Sequence, residues 1–197
     1  TLSRESLPAS WEFEGLYNTP ELIATAQKNI ETLKGKIDDE GVDVYDIYLS
    51  IAQQYALIGK GEEAYDYLLR AGKQEPGNSL TFQTMGNLME SLKAYPAAEE
   101  AYKQATIVQP QILQNHLALI GFYLGQKADA VKIESAFAFA LEKSGRATNV
   151  LKEYAQWLEG QKDIVKAITI WEEVLKQVPE DRAVKDKINQ LKRKIIK

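Results

Sequence analysis

The sequence repeats itself at intervals of 34 or 35 residues, and a period of that length decides the fold class before any single motif does. Four windows carry it, 45–78, 79–112, 114–147 and 148–181, with Leu113 set aside as one extra residue. Counting places within each window, place four reads Tyr48, Phe82, Leu117, Leu151, and place seven reads Ile51, Met85, Ile120, Tyr154. Place eight is small throughout (Ala52, Gly86, Gly121, Ala155), and place eleven is large and apolar (Tyr55, Met89, Leu124, Leu158). In the second half, place twenty reads Ala64, Ala98, Ile133, Ala167, and place twenty-four reads Leu68, Tyr102, Phe137, Trp171. Place twenty-seven reads Ala71, Ala105, Ala140, Val174, and the windows close on Pro76, Pro110, Gly145 and Pro179.

Places four, seven, eight and eleven fall on one helical stripe and places twenty, twenty-four and twenty-seven on another, so each window predicts two antiparallel helices. Small side chains at eight and twenty let the helices approach, and the large residue at twenty-four fills the space between neighbouring pairs. Proline or glycine ends the second helix. A single pair cannot bury both of its stripes, so the windows must stack into an all-α solenoid. These residues resemble the tetratricopeptide repeat (TPR) family over 45–181. The resemblance implies a right-handed superhelix of four repeats whose first helices line a concave groove for an extended or helical peptide. Two departures, Leu at place four in the last two windows and Ile133 at place twenty, put the helix crossing in the third window in question.

The flanks extend the array. Val184, Ile188, Leu191 and Ile195 form one apolar stripe, with Lys185, Lys187, Lys192 and Arg193 elsewhere, which predicts a capping helix over 182–197. Thr19-Pro20-Glu21 reads as an N-cap, first-turn proline and acidic first turn of a helix over roughly 20–37, followed by the acidic loop Asp38-Asp39-Glu40-Gly41. Residues 1–18 read as extended, with an apolar cluster of Trp11, Phe13, Leu16 and Tyr17 that packs either on this chain's own first helix or in a neighbouring molecule's groove. The chain opens on Thr1 without a methionine, as expected of a processed or excised piece of a longer protein.

Composition narrows the chemistry. The chain has no cysteine, which removes thiol nucleophiles, disulfides and sulfur-ligated metals, and a single histidine, His116, which removes imidazole clusters. His116 stands at place three of its window, an outward-facing place where a solvated side chain is expected. The adjacent acids Glu62-Glu63, Glu99-Glu100 and Glu172-Glu173 diverge around their helices instead of converging, as solvated faces do. Gly59-Lys60-Gly61 and Gly121 to Gly125 follow helices, not strands, so neither reads as a phosphate loop. The expectation is a non-enzyme without cofactor or metal. With 28 acidic and 24 basic side chains, a nucleic-acid footprint is absent. No stretch is long and apolar enough for membrane insertion, and the compartment stays open between a bacterial cytoplasm and periplasm. The terminal Lys192-Arg193-Lys194 reads as a dipole-complementing, soluble cap.

By the resemblance, places two, five, nine and twelve of each first helix face the groove. They are Asp46, Leu49, Gln53, Ala56; Leu80, Gln83, Asn87, Glu90; Asn115, Ala118, Phe122, Gly125; and Asn149, Lys152, Gln156, Glu159. Members that clamp the carboxylate tail of heat-shock chaperones use several basic residues here, whereas this chain has only Lys152. The expected partner is a protein or peptide, met by Leu49, Gln53, Gln83, Asn87, Asn115, Phe122, Lys152 and Gln156, with amides pairing backbone and apolar side chains anchoring. Of the two glycines beside Phe122, Gly121 is expected to be closely packed. The alternative is self-assembly into a homo-oligomer. Residues 1–100 hold 8 basic and 17 acidic side chains and residues 101–197 hold 16 and 11, so opposite ends attract head to tail. A third reading is an accessory domain of a larger complex.

Overall fold

The caps written in the sequence start the helices. Thr19, Asp43, Asn78, Asp129 and Asp163 each accept a backbone N–H in the following turn, at 3.4, 3.0, 3.0, 2.9 and 3.2 Å. In the computed structural model, which describes residues 2–195, the helices are α1 (Pro20–Lys34), α2 (Val44–Leu57), α3 (Gly61–Gln74), α4 (Ser79–Ser91), α5 (Tyr95–Val108), α6 (Leu113–Gly125), α7 (Ala130–Lys143), α8 (Thr148–Gly160), α9 (Ile164–Gln177) and α10 (Arg182–Ile195). Among the described residues the only other regular features are a short 3-10 turn, Arg4–Ser6, and a β-bridge between Glu12 and Lys60. The first helix stops at Lys34, short of the expected 37, where Gly35 caps it. Ile196 and Lys197, the end of the expected capping helix, lie outside the described residues.

The chain divides into two compact units, residues 1–119 and 120–197, with the division inside α6. In the first unit α2 packs on α3 and α4 on α5, while α1 lies against α2 around Ile30, Ile47 and Ile51. In the second, α8 packs on α9, α7 meets α8 through the Phe137 and Tyr154 rings 4.9 Å apart, and α10 buries Val184, Ile188 and Leu191. In the terminal basic run Lys192 is bonded to Glu172 at 2.7 Å.

The third first-helix corrects the repeat register. α6 begins at Leu113, the residue set aside as extra, just as α4 begins at Ser79 and α8 at Thr148. The added residue sits instead between the helices, where 126–129 replaces the shorter turns 58–60, 92–94 and 161–163. Each turn carries one left-handed residue, Gly59, Lys93, Lys127 and Lys162, and these align only when the third window is counted from Leu113. His116 then takes the large-residue place four, and it is 3% exposed, with Nε2 2.7 Å from the Pro110 carbonyl oxygen, instead of solvated. Ile120 takes place eight and is fully buried. Gly121, expected to be closely packed, is exposed, and a Cβ there would meet nothing within 4 Å.

Candidate functional site

Of the eight predicted groove residues, Gln53, Asn87 and Gln156 are exposed, Gln83 and Lys152 are half-buried, and three are buried. Leu49, Asn115 and Phe122 are buried, which overturns their expected exposure. Asn115 is a core bracket: its amide N–H groups reach the Ala105 and Gln109 carbonyls at 2.9 Å each, and its Oδ1 accepts from Gln83. Gln83 is thereby held half-buried. Lys152 is paired with Asp181 at 3.1 Å, and Gln156 is exposed on α8, so both stand in the second unit. Gln53 and Asn87 are exposed and do come together, on one groove of the first unit.

That groove has a volume of about 980 Å³. Ala52, Ala56, Ala64 and Leu68 supply small or buried side chains, α4 supplies Leu80, Thr84, Asn87, Leu88 and Ser91, and residues 12–16 form a further wall. Leu80 is 46% exposed, so its apolar surface is offered to whatever enters. The Asn87 side-chain amide lies 2.6 Å from the Tyr102 hydroxyl, whose one proton serves either Asn87 or Glu90, and the residue is otherwise exposed.

The first and second pairs differ in the side chains at these places. In the second pair the Tyr102 ring lies over Gly86, so close that a Cβ there would be 2.6 Å from the ring. The Tyr102 hydroxyl donates to Glu90 Oε2 at 2.6 Å, and burial, reinforced by this carboxylate, raises its pKa. The fourth pair repeats the device: the Trp171 indole N–H donates to Glu159 at 2.8 Å. Thus a polar-tipped aromatic at place twenty-four goes with a glutamate at place twelve. Where place twenty-four is Leu68 or Phe137, the partner at place twelve is Ala56 or, in the corrected register, Leu124. In the first pair Leu68, Ala52 and Ala56 hold these places, and all three line the groove.

The wall was missed in the sequence. Residues 11–17 cross the α2–α3 turn, not α1. Gly61 N–H donates to the Trp11 carbonyl (2.9 Å), Phe13 N–H to Gly59 (3.4 Å) and Tyr17 N–H to Leu57 (2.8 Å). Further back, Glu100 accepts from the Ser3 N–H (3.0 Å) and the Ser6 hydroxyl (3.0 Å), Leu2 is buried, and Trp11 packs on Tyr65 with ring centroids 5.1 Å apart. Glu100 is therefore an anchor and Glu99 an ion-pair partner of Lys103, instead of a merely solvated pair.

Glycine makes this docking possible. A Cβ on Gly15 would stand 2.3 Å from the Leu57 carbonyl oxygen, one on Gly59 2.1 Å from that of Phe13, and one on Gly61 2.4 Å from that of Trp11. Lysine holds the left-handed conformation in the other three turns, so backbone freedom alone does not call for glycine at 59. Close approach of the N-terminal segment does. The signal was present in sequence as Gly59-Lys60-Gly61 with Gly15, but nothing local joins residues so far apart.

No family model matches the sequence, and no curated protein matches it. Solved structures do. The fold is that of the tetratricopeptide repeat proteins. MamA aligns with a TM-score of 0.56 at 14% identity, over 81% of this chain and 88% of that one. A tetratricopeptide repeat protein from Parabacteroides merdae aligns at 0.56 with 16% identity, over 87% and 71%. YrrB, described as a TPR protein with an unusual peptide-binding site, aligns at 0.51 with 13% identity, over 86% and 88%. At these identities the likeness concerns the fold. Among the described residues, no helix is long and apolar enough to cross a membrane and no group of His, Asp or Glu side chains could hold a metal ion.

Proposed function

We propose that the chain is a protein-interaction scaffold and that the groove of its first unit receives an extended peptide. The observation that carries this reading is an open groove of about 980 Å³ lined by an exposed Leu80 and by the exposed amides Asn87 and Gln53. An apolar anchor and a few placed amide donors are what a peptide backbone with one buried side chain requires. The peptide-binding description of YrrB, a protein of the same fold, supports it. So does the neighbours' repeat architecture, in which exposed helix faces are held rigidly apart from the core.

The test is a library of synthetic peptides screened against the whole chain, with binding mapped by NMR shift changes. Perturbations centred on Gln53, Leu80, Thr84 and Asn87, and loss of binding in Leu80→Asp, are expected. Ligands that map elsewhere, to Lys152 and Gln156 for instance, or that bind Leu80→Asp unchanged would overturn the assignment.

A further inference from the structure

The wall of the groove formed by residues 11–17 has two backbone edges, and only one is used. Trp11, Phe13 and Tyr17 turn their backbone groups to the α2–α3 turn. In an extended chain the alternate residues turn theirs the other way. Among the described residues, the Glu14 and Leu16 N–H groups and the Glu12 and Glu14 carbonyls meet no partner. Side chains alternate as well: Trp11, Phe13 and Tyr17 are half-buried, while Glu12, Glu14 and Leu16 are exposed, Leu16 at 82%. Residues 11–15 are thus fixed on one side by the glycine contacts and open along the other, before the chain bends at Leu16, at the rim of the groove.

We propose that the free edge of residues 12–15 is a template on which an extended peptide adds as a second strand, a mode distinct from lying across the first helices alone. This rests on the groove reading and names the peptide it takes. The register dictates the chemistry. Residues of an added strand alternate between the face that carries Glu12 and Glu14 and the face that carries the half-buried Phe13, so the side chains on the first face are basic and the intervening ones apolar. Charge agrees on a larger scale: residues 1–119, the unit that holds the groove, contain 9 basic and 17 acidic side chains. Glu14 forms no ion pair among the described residues, whereas Glu12 is paired with Lys60 at 3.1 Å. The peptide that fits is a short alternating run of lysine or arginine with valine, leucine or isoleucine.

Strand addition has a signature that groove binding lacks. The probe is a fluorescent peptide of alternating Lys and Val, used beside two versions N-methylated either at every Lys amide or at every Val amide, with anisotropy read on the whole chain. Only one set of amides faces the template edge. One methylated peptide is expected to bind about tenfold or more weakly and the other like the parent, since each lost backbone hydrogen bond costs about 1 kcal/mol. Glu14→Lys should weaken the parent peptide, and replacing its lysines by glutamates should do the same. Equal binding of both methylated peptides would overturn strand addition, and if Leu80→Asp still abolished that binding, the groove reading would stand. Failure of the parent peptide to bind would overturn the proposal alone, because the peptide library tests the groove independently. Unchanged binding to Glu14→Lys would overturn the basic partner chemistry.

Discussion

The first and second helix pairs share a backbone plan and differ in what fills it. In the second, Tyr102 covers Gly86 and is tied at its tip to Glu90. In the first, Leu68, Ala52 and Ala56 line a groove, and Gly59 stands where the second has Lys93, so the N-terminal segment can dock on the turn. A few side chains within one repeat plan therefore separate a structural layer from a candidate binding layer. Repetition fixes where helices go, and departures from it mark where the surface does something particular.

The comparison breaks most severely at the ring. Tyr102→Ala should cost about 3–5 kcal/mol in urea unfolding, because it empties the space over Gly86 and strips Glu90 of its donor. A cost near zero would mean that the ring does not matter to the packing of the second pair. Next in size is the glycine seam. Gly15→Ala drives a Cβ into the Leu57 carbonyl, so a loss of about 1–3 kcal/mol and faster proteolysis within residues 1–17 are expected. Protease resistance equal to wild type would refute the close docking.

The turn that lacks a docked segment gives a smaller effect of opposite sign. Lys93→Gly should stabilise by about 0.5–1 kcal/mol, since φ of 57° strains lysine and not glycine. Destabilisation by that change would show that left-handed lysine is not the strained element of these turns. The smallest effect lies in the second unit. Hydrogen bonding to the Arg146 guanidinium holds the Glu173 carboxyl below its ordinary value of 4.5. With the folded pKa below the unfolded one, the contribution is present above about pH 4.5 and is lost as pH falls through the lowered value. The pair is half-exposed and screened by solvent, so it is worth less than about 1 kcal/mol, and Arg146→Ala should flatten the acid limb of a stability profile by no more than that.

Much of the architecture was legible because its signals are local. Caps and stripes at spacings of three and four residues state that a helix begins and which face is apolar. The groove was legible only in part. Gln53, Leu80 and Asn87 lie on its open side, but Leu49, Asn115 and Phe122 share the same kind of helical position and are buried. In the third window the closing proline and glycine, with a small Gly121 at hand, suggested that the extra residue precedes the helix. A slip of one residue turns a helix face by about 100°, enough to exchange core and surface.

What the sequence determined by itself is the all-α repeat: paired helices, their period, and the need to stack. The tertiary structure decided the register of α6, where the Ala105 and Gln109 carbonyls are bonded to Asn115 in the core, and the docking of residues 11–17 on a turn distant in sequence. Helical patterns are written between neighbours three and four residues apart. Which of two adjacent registers is kept, and which glycine is needed for another backbone to pass, depends on groups that meet only after the chain has folded.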